Sequence, residues 1–218
     1  MARRIRAMLP GWRYNLWDDA DNSALMARIF PEYCERYEAI RFGVAKADVA
    51  RCAYMYAYGG FYLDTDYLLL RPLDDGLRRH SCIVPLEGPS TMTRADARRP
   101  ELGNAVLASE PEQAFWRDFI SYVFDVKQAD RITDPQQIIP ATGPSAINSF
   151  YWSRPTDYPG LFLAPVNLFH PSISWFAMKT SADRNTYGVH LHWGSWRGRS
   201  ISVAARNLLR RKLNGLLS

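Results

Sequence analysis

Two aspartates separated by one residue, Asp64 and Asp66, interrupt an apolar run at positions 61–70, FYLDTDYLLL. Aromatic and aliphatic residues dominate this run, so it predicts a β-strand. Residues two apart on a strand point to the same face, which would place the two carboxylates side by side. Such a pair repels unless a cation lies between them, and a divalent cation that prefers oxygen ligands meets that need. Asp-x-Asp alone is common in solvated turns, but within an apolar run we favour metal or phosphate binding.

A second pair of charges precedes this run. Residues 44–58, VAKADVARCAYMYAY, predict a helix that is apolar on nearly every side and ends at Gly59. Asp48 and Arg51 lie three residues apart and therefore on one face of it. Buried charges need partners, so the two residues pair with each other or also face a polar ligand.

The block ADVARCAYMYAYGGFYLDTDYLLLRPLDD, residues 47–75, resembles the core of family 32 glycosyltransferases, which carry a sugar-binding Asp-x-Asp region. The same spacing is similar to that of the large clostridial glucosylating toxins. Weaker similarities follow at Asn104, at the TGP of residues 142–144 and at HLHWGSW, residues 190–196. The resemblance implies an α/β protein of the GT-A-like type, with a mixed central sheet flanked by helices. It places a glycosyltransferase domain at residues 1–200.

The resemblance also implies a role for individual residues. Asp66 would bind Mn²⁺ or Mg²⁺ directly, and Asp64 would contact the ribose or the metal through water. The donor, a UDP- or GDP-linked sugar, would be held by residues on both sides of this motif: Asp48 and Arg51 at the sugar hydroxyls, Tyr62 near the nucleotide, and Ser195 and Trp196 at the diphosphate.

The late histidines leave the third metal ligand open. His192 is a candidate ligand, and His190 competes with it because it shares the strand face by period two. A packed, hydrogen-bonded strand histidine is an equally good interpretation of His192.

The expected activity is metal-dependent, retaining transfer of a hexose to a glycan or a lipid-linked acceptor. The cation would stabilise the negative charge that grows on the leaving diphosphate. In the resemblance, residues 11–19, GWRYNLWDD, match the family's second strand, and the first strand is absent or replaced. The alternative is therefore a catalytically inactive relative that binds a sugar nucleotide or glycan. A phosphohydrolase is disfavoured because no third acidic ligand is visible.

Further elements are predicted from local patterns. We expect a helix over residues 22–40, capped by Asp21, Asn22 or Ser23 and broken at Pro31, and a helix over residues 112–126 with Pro111 in its first turn. A loop would cover residues 127–143 and a short helix would follow Pro144. Strands are predicted at residues 82–87, 161–166 and 188–193. Alternating strands and helices indicate an α/β sheet protein.

Composition limits the remaining classes. The chain has 218 residues, of which 47% are hydrophobic and 22% are charged, typical of one globular domain. Its three cysteines fit no zinc spacing and are expected to be free thiols. The net charge of +5 arises entirely after Asp183, because residues 1–183 carry 20 basic and 22 acidic side chains. Nucleic-acid binding is therefore not expected.

The basic C-terminal segment predicts an amphipathic helix over residues 201–218, with leucines on one stripe and Arg206, Arg210 and Lys212 largely off it. Such a helix either packs on the domain or lies on an anionic membrane surface. We expect a cytoplasmic protein that attaches to the inner face of the membrane through this segment.

Overall fold

The computed structural model describes residues 1–88, 99–171, 173–174 and 179–192. Its helices in chain order are α1 Ala2–Met8, α2 Asp19–Ile29, α3 Cys34–Ala39, α4 Gly43–Tyr58, α5 Ala114–Asp125, α6 Ile138–Ala141, α7 Pro144–Ser153 and α8 Val166–Phe169. The strands are β1 Gly60–Leu63, β2 Tyr67–Leu69, β3 Cys82–Glu87, β4 Glu101–Leu102, β5 Val106–Ser109, β6 Leu161–Ala164, β7 Ile173–Ser174, β8 Lys179–Thr180 and β9 Gly188–His190.

A mixed sheet forms the centre of the described structure. Strand β1 pairs antiparallel with β5, β5 and β4 both pair antiparallel with β3, and β6 pairs parallel with β3. Strands β2 and β9 pair antiparallel outside this sheet. The predicted α/β class with a mixed sheet flanked by helices is therefore confirmed.

Both faces of the sheet are buried. Because neighbouring residues on a strand point to opposite faces, one strand contributes side chains to both cores. On β3, Cys82 and Val84 pack into a core shared with α2, α4, α5 and α7. Ile83 points the other way, into a second core with Tyr67 of β2 and Phe169 of α8. The mixed sheet thus separates a helical layer from the layer that contains the β2–β9 pair.

Several predicted elements are confirmed with shifted bounds. Pro31 does divide the first predicted helix, which becomes α2, a short 3₁₀ turn and α3. The predicted caps of α2 were wrong: Asp18 caps it, accepting a hydrogen bond from the Asp21 backbone N–H at 2.9 Å. Pro111 lies before α5 rather than in its first turn, since Glu112 has a φ of 60° and the N-cap is Gln113.

Other predictions were wrong in kind. Residues 11–18 contain no strand, although they resemble the family's second strand. Residues 127–143 are not a plain loop but contain two short 3₁₀ helices and α6. The run at 61–70 is two strands, β1 and β2, and the Asp pair lies between them.

The free cysteines are as expected. Cys52 and Cys82 are buried, Cys34 is partly buried, and all three are free thiols. Burial raises the pKa of both buried thiols, that of Cys82 to about 12, so neither is a reactive thiolate.

Candidate active site

Asp64 and Asp66 lie in a tight turn rather than on one strand. The Asp64 backbone N–H donates to the Ala105 carbonyl at 2.8 Å, and the Tyr67 N–H donates back to the Asp64 carbonyl at 2.9 Å. The strand argument for the pair was therefore wrong. The turn nevertheless brings a carboxylate oxygen of each aspartate to the same histidine, His190.

Two donors bind the same carboxylate oxygen of Asp64. Arg51 places its Nη1 3.0 Å from Asp64 Oδ1, and the Tyr62 hydroxyl donates to the same oxygen at 2.6 Å. The Arg51 guanidinium also lies over the Tyr62 ring, 4.8 Å from its centroid. Both donors occupy Oδ1, which leaves Oδ2 directed to the side where His190 lies, 3.7 Å away.

Asp48 anchors this arrangement from helix α4. Its Oδ1 receives Arg51 Nη2 at 2.9 Å and the Asn104 side-chain amide at 3.0 Å. Its Oδ2 receives the Thr142 hydroxyl at 3.0 Å. Both Asp48 and Arg51 are 5% exposed, so the two predicted sugar-binding residues form a buried, fully hydrogen-bonded pair behind Asp64.

An interruption in the sheet supplies one of these partners. Leu102 of β4 and Ala108 of β5 both lie opposite β3, and the regular pairing is interrupted between them, although the Gly103 N–H still donates to the Pro85 carbonyl at 2.8 Å. Such interruptions redirect side chains near active sites. Here the side chain of Asn104 turns to Asp48, and its carbonyl accepts a hydrogen bond from Arg51 Nη1 at 2.8 Å.

The charges of this group depend on one another. Burial raises the pKa of Asp48, and the positive charge of Arg51 opposes that rise. Burial also disfavours the Arg51 cation, but Asp64, Tyr62 and Asp48 outweigh it and raise the Arg51 pKa. Arg51 therefore remains the cation that permits two carboxylates to lie in a largely buried site.

His190 reaches the Asp pair because β9 pairs with β2. Tyr67 lies opposite His190 in that pair, so the histidine lies beside the turn that precedes β2. Its Nε2 is 3.1 Å from Asp66 Oδ1. Burial lowers its pKa, but the hydrogen bond and charge of Asp66 outweigh burial, so the pKa of His190 is raised.

The two late histidines do not share a strand face. His192 lies beyond the end of β9, is exposed and has a φ of 48°. Its ring lies 4.0 Å from that of His190, centroid to centroid. The structure places His190 in contact with Asp66.

The residues present fit a divalent cation. Asp64, Asp66 and His190 each offer one ligand atom, and the three atoms lie within 4.8 Å of one another. Two carboxylate oxygens and one imidazole nitrogen suit Mn²⁺ and related divalent ions. The predicted diphosphate contacts, Ser195 and Trp196, lie outside the described residues, as does the predicted helix at 201–218.

Two further residues near the site were not predicted. Glu87 ends β3 and His170 follows α8, and both lie close to His190. No motif marks either one. Thr142 and Asn104, in contrast, belong to the short segments whose similarity to the family is weak, and both turn out to bind Asp48.

Comparison with known proteins gives this geometry a context. Residues 2–83 match the family model described as the glycosyltransferase sugar-binding region containing the DXD motif, which covers less than half of the chain. These residues include Asp48, Arg51, Tyr62, Asp64 and Asp66. The match supports a glycosyltransferase family.

Curated glycosyltransferases resemble the chain as well, two of them over a larger part of it than the family model covers. Inositol phosphoceramide mannosyltransferase 2 of Schizosaccharomyces pombe is 31% identical over 146 residues, which are 66% of this chain and 38% of that protein. Inositol phosphoceramide mannosyltransferase 3 of the same yeast is 35% identical over 65 residues, 30% of this chain and 18% of that protein. A glycosyltransferase of Acanthamoeba polyphaga mimivirus is 26% identical over 195 residues, 85% of this chain and 71% of that protein.

The chain spans well under half the length of the two yeast relatives. Within the described residues, no helix is both long and apolar enough to cross a membrane.

Proposed function

We propose that this chain is a metal-dependent glycosyltransferase that moves a hexose, mannose in the first instance, from a nucleotide sugar to a glycolipid acceptor. The observation that carries the proposal is the convergence of Asp64, Asp66 and His190, with Asp64 fixed by Arg51 and Tyr62. The names of the two yeast relatives support mannose as the sugar and an inositol phosphoceramide as the acceptor class. We assign the fold to the GT-A type and the family 32 group on the same grounds.

In this proposal the described residues have distinct tasks. Asp66 and Asp64 bind the divalent ion, together with an imidazole from His190 or His192. The ion, Mn²⁺ or Mg²⁺, supplies positive charge where the leaving diphosphate becomes more negative. Arg51 and Tyr62 keep Asp64 oriented, and Asp48 keeps Arg51 in place. Ser195 and Trp196 contact the diphosphate, and transfer retains the configuration of the anomeric carbon.

The C-terminal segment has a separate proposed task. We assign residues 1–200 to the catalytic domain and residues 201–218 to a helix that lies on the inner, anionic face of the cytoplasmic membrane. Attachment there would bring the domain to a lipid-linked acceptor.

The test measures release of the nucleoside diphosphate from a panel of GDP- and UDP-sugars, with Mn²⁺ and with EDTA. We expect Mn²⁺-dependent release from one donor of the panel, and a loss of about 100-fold or more in Asp66→Asn. Asp75→Asn is the matched control, because that aspartate is 94% exposed and its ion pair is with Arg78, which is not a residue of the site. Its turnover should equal that of the wild-type chain.

Binding and turnover separate the two candidate functions. Donor binding is read from the shift in thermal unfolding that a ligand causes by mass action. A chain that binds a donor with Mn²⁺ but never releases the diphosphate is the catalytically inactive relative. A chain that neither binds nor turns over any donor contradicts both functions.

A further inference from the structure

A second group of ligating side chains shares His190 with the Asp pair. It consists of Glu87 at the end of β3, His170 after α8 and His190 at the end of β9. One ligand atom from each lies within 4.8 Å of the other two, and Glu87 Oε1 is 3.7 Å from His170 Nδ1. Three elements distant in sequence therefore direct ligating atoms to one point.

The nitrogens of this group lack hydrogen-bond partners. Both ring nitrogens of His170 and the Nδ1 of His190 are buried without one, and they are the only such side-chain atoms among the described residues. His170 is 7% exposed. A buried polar atom left unpaired costs about 1–3 kcal/mol, so unpaired nitrogens on two neighbouring imidazoles call for a ligand, and one ion would bind one nitrogen of each ring.

The second nitrogen of His190 is oriented as in known metal sites. Histidines that bind a metal through one ring nitrogen usually donate the other N–H to a carboxylate, which fixes the tautomer and the ring. His190 Nε2 lies 3.1 Å from Asp66 Oδ1, and Nδ1 is the nitrogen without a partner. Asp66 therefore serves as the carboxylate that orients this ring.

We propose that Glu87, His170 and His190 bind a divalent transition-metal ion of the zinc class, at a site separate from that of Asp64 and Asp66. Two imidazoles and one carboxylate are a ligand set that Zn²⁺ accepts. The ion ties β3, the end of α8 and β9 together beneath the Asp turn. Its use of His190 leaves His192 as the imidazole nearest to the first ion.

Gly103 gives a way to close this site without removing a ligand. A Cβ on Gly103 would lie 2.8 Å from both Glu87 Oε1 and His170 Nε2, and 2.6 Å from Glu87 Cγ. An alanine here pushes these two side chains away from their present positions. Only a glycine lets the backbone approach them so closely.

The test counts bound zinc rather than turnover, so it does not depend on the proposed function. The full-length chain is stripped with EDTA, and its affinity for Zn²⁺ is measured against a chromophoric chelator. We expect Glu87→Gln, His170→Asn and Gly103→Ala each to weaken one Zn²⁺ site by about 10-fold or more, because changing a residue that only orients a ligand already costs about 10–100-fold. Asp64→Asn should retain that site, because Asp64 neither binds this ion nor orients one of its ligands, and His80→Asn, a histidine stacked on Phe162, should bind as the wild-type chain does.

Thermal unfolding of each metal-free variant shows which of them is folded. If His170→Asn does not fold, the zinc affinities of Gly103→Ala and Glu87→Gln test the proposal. Zinc affinity unchanged in the folded variants of Glu87, His170 and Gly103 overturns the proposal. Loss of all zinc binding in Asp64→Asn overturns it as well, because the ion would then belong to the Asp pair.

Discussion

Arg51 is the residue on which the charges of the site depend. It contacts two carboxylates, Asp48 at 2.9 Å and Asp64 at 3.0 Å, and its own side chain is 6% exposed. A buried ion pair adds little net stability, but removing one partner leaves the other charge uncompensated. The arginine is thus needed whether or not it also touches a sugar.

We expect Arg51→Ala to lower the free energy of unfolding by about 3–5 kcal/mol, because it strands two carboxylates in a buried site. Denaturant unfolding measures this. Arg36→Ala is the matched control: Arg36 also pairs with two aspartates, Asp125 and Asp130, but its side chain is 32% exposed. Exposed pairs contribute about 1 kcal/mol or less. Equal losses in the two variants would contradict the role assigned to Arg51.

Adding Asp48→Ala to Arg51→Ala tests what else the pair does. The double variant should recover part of the lost stability, because one of the stranded carboxylates is gone. A double variant that is stable and fully active would mean that the pair is purely structural.

At the level of elements, the turn from α4 into β1 sets where the Asp pair lies. Gly59 ends α4 with a φ of 62°, and Gly60 begins β1 with a φ of 83°. A Cβ on Gly59 would lie 2.5 Å from the Ser109 carbonyl oxygen and 2.8 Å from the Pro111 nitrogen. A Cβ on Gly60 would meet no atom within 4 Å. An alanine at Gly60 therefore introduces backbone strain alone, whereas an alanine at Gly59 introduces both strain and a steric clash.

We expect Gly60→Ala to lower the free energy of unfolding by about 1 kcal/mol, because a residue with a Cβ disfavours the left-handed backbone conformation. Gly59→Ala should cost clearly more, about 2–4 kcal/mol, because the Ser109–Pro111 backbone must also move. Thermal and denaturant unfolding of the two variants measure the difference. If Gly60→Ala lowers the free energy of unfolding more than Gly59→Ala does, Gly59 does not pack closely against Ser109 and Pro111.

The sequence predicts the elements near the Asp pair better than it predicts the rest of the site. Helix α4 follows from its apolar residues and from Gly59, which are local signals. His170 carries no local signal, since its position depends on how α8 packs below β3. The pairing of β9 with β2, rather than a strand period, decides that His190 meets Asp66. Such long-range choices depend on tertiary packing, which a local pattern does not contain.

At the scale of the whole molecule, the positive charge is concentrated near the C-terminal end of the sequence. Residues 1–183 carry 20 basic and 22 acidic side chains, whereas no acidic residue follows Asp183. A basic surface attracts anionic lipid with about 1 kcal/mol for each Lys or Arg near it. The C-terminal segment is therefore the part of the chain with which we associate membrane binding.

We expect the chain to sediment with anionic vesicles and to release from them as salt rises, because screening weakens the attraction. Changing Arg206, Arg210, Arg211 and Lys212 to Gln should reduce the bound fraction strongly. The matched control changes four exposed arginines of the domain, Arg13, Arg78, Arg131 and Arg154, to Gln, with the same loss of charge. Equal binding of both variants would show that net charge, not the C-terminal segment, governs attachment.

The β2–β9 pair also fixes the order in which the site is built during synthesis. His190 follows Asp66 by 124 residues, and a ribosome adds about 5–20 residues per second. The Asp pair therefore leaves the ribosome some 6–25 s before the imidazole that orients Asp66. A nascent chain passes through this interval with its carboxylates and Arg51 made but the histidine missing. In the proposed function, the ion therefore meets both aspartates and His190 only after β9 has paired with β2.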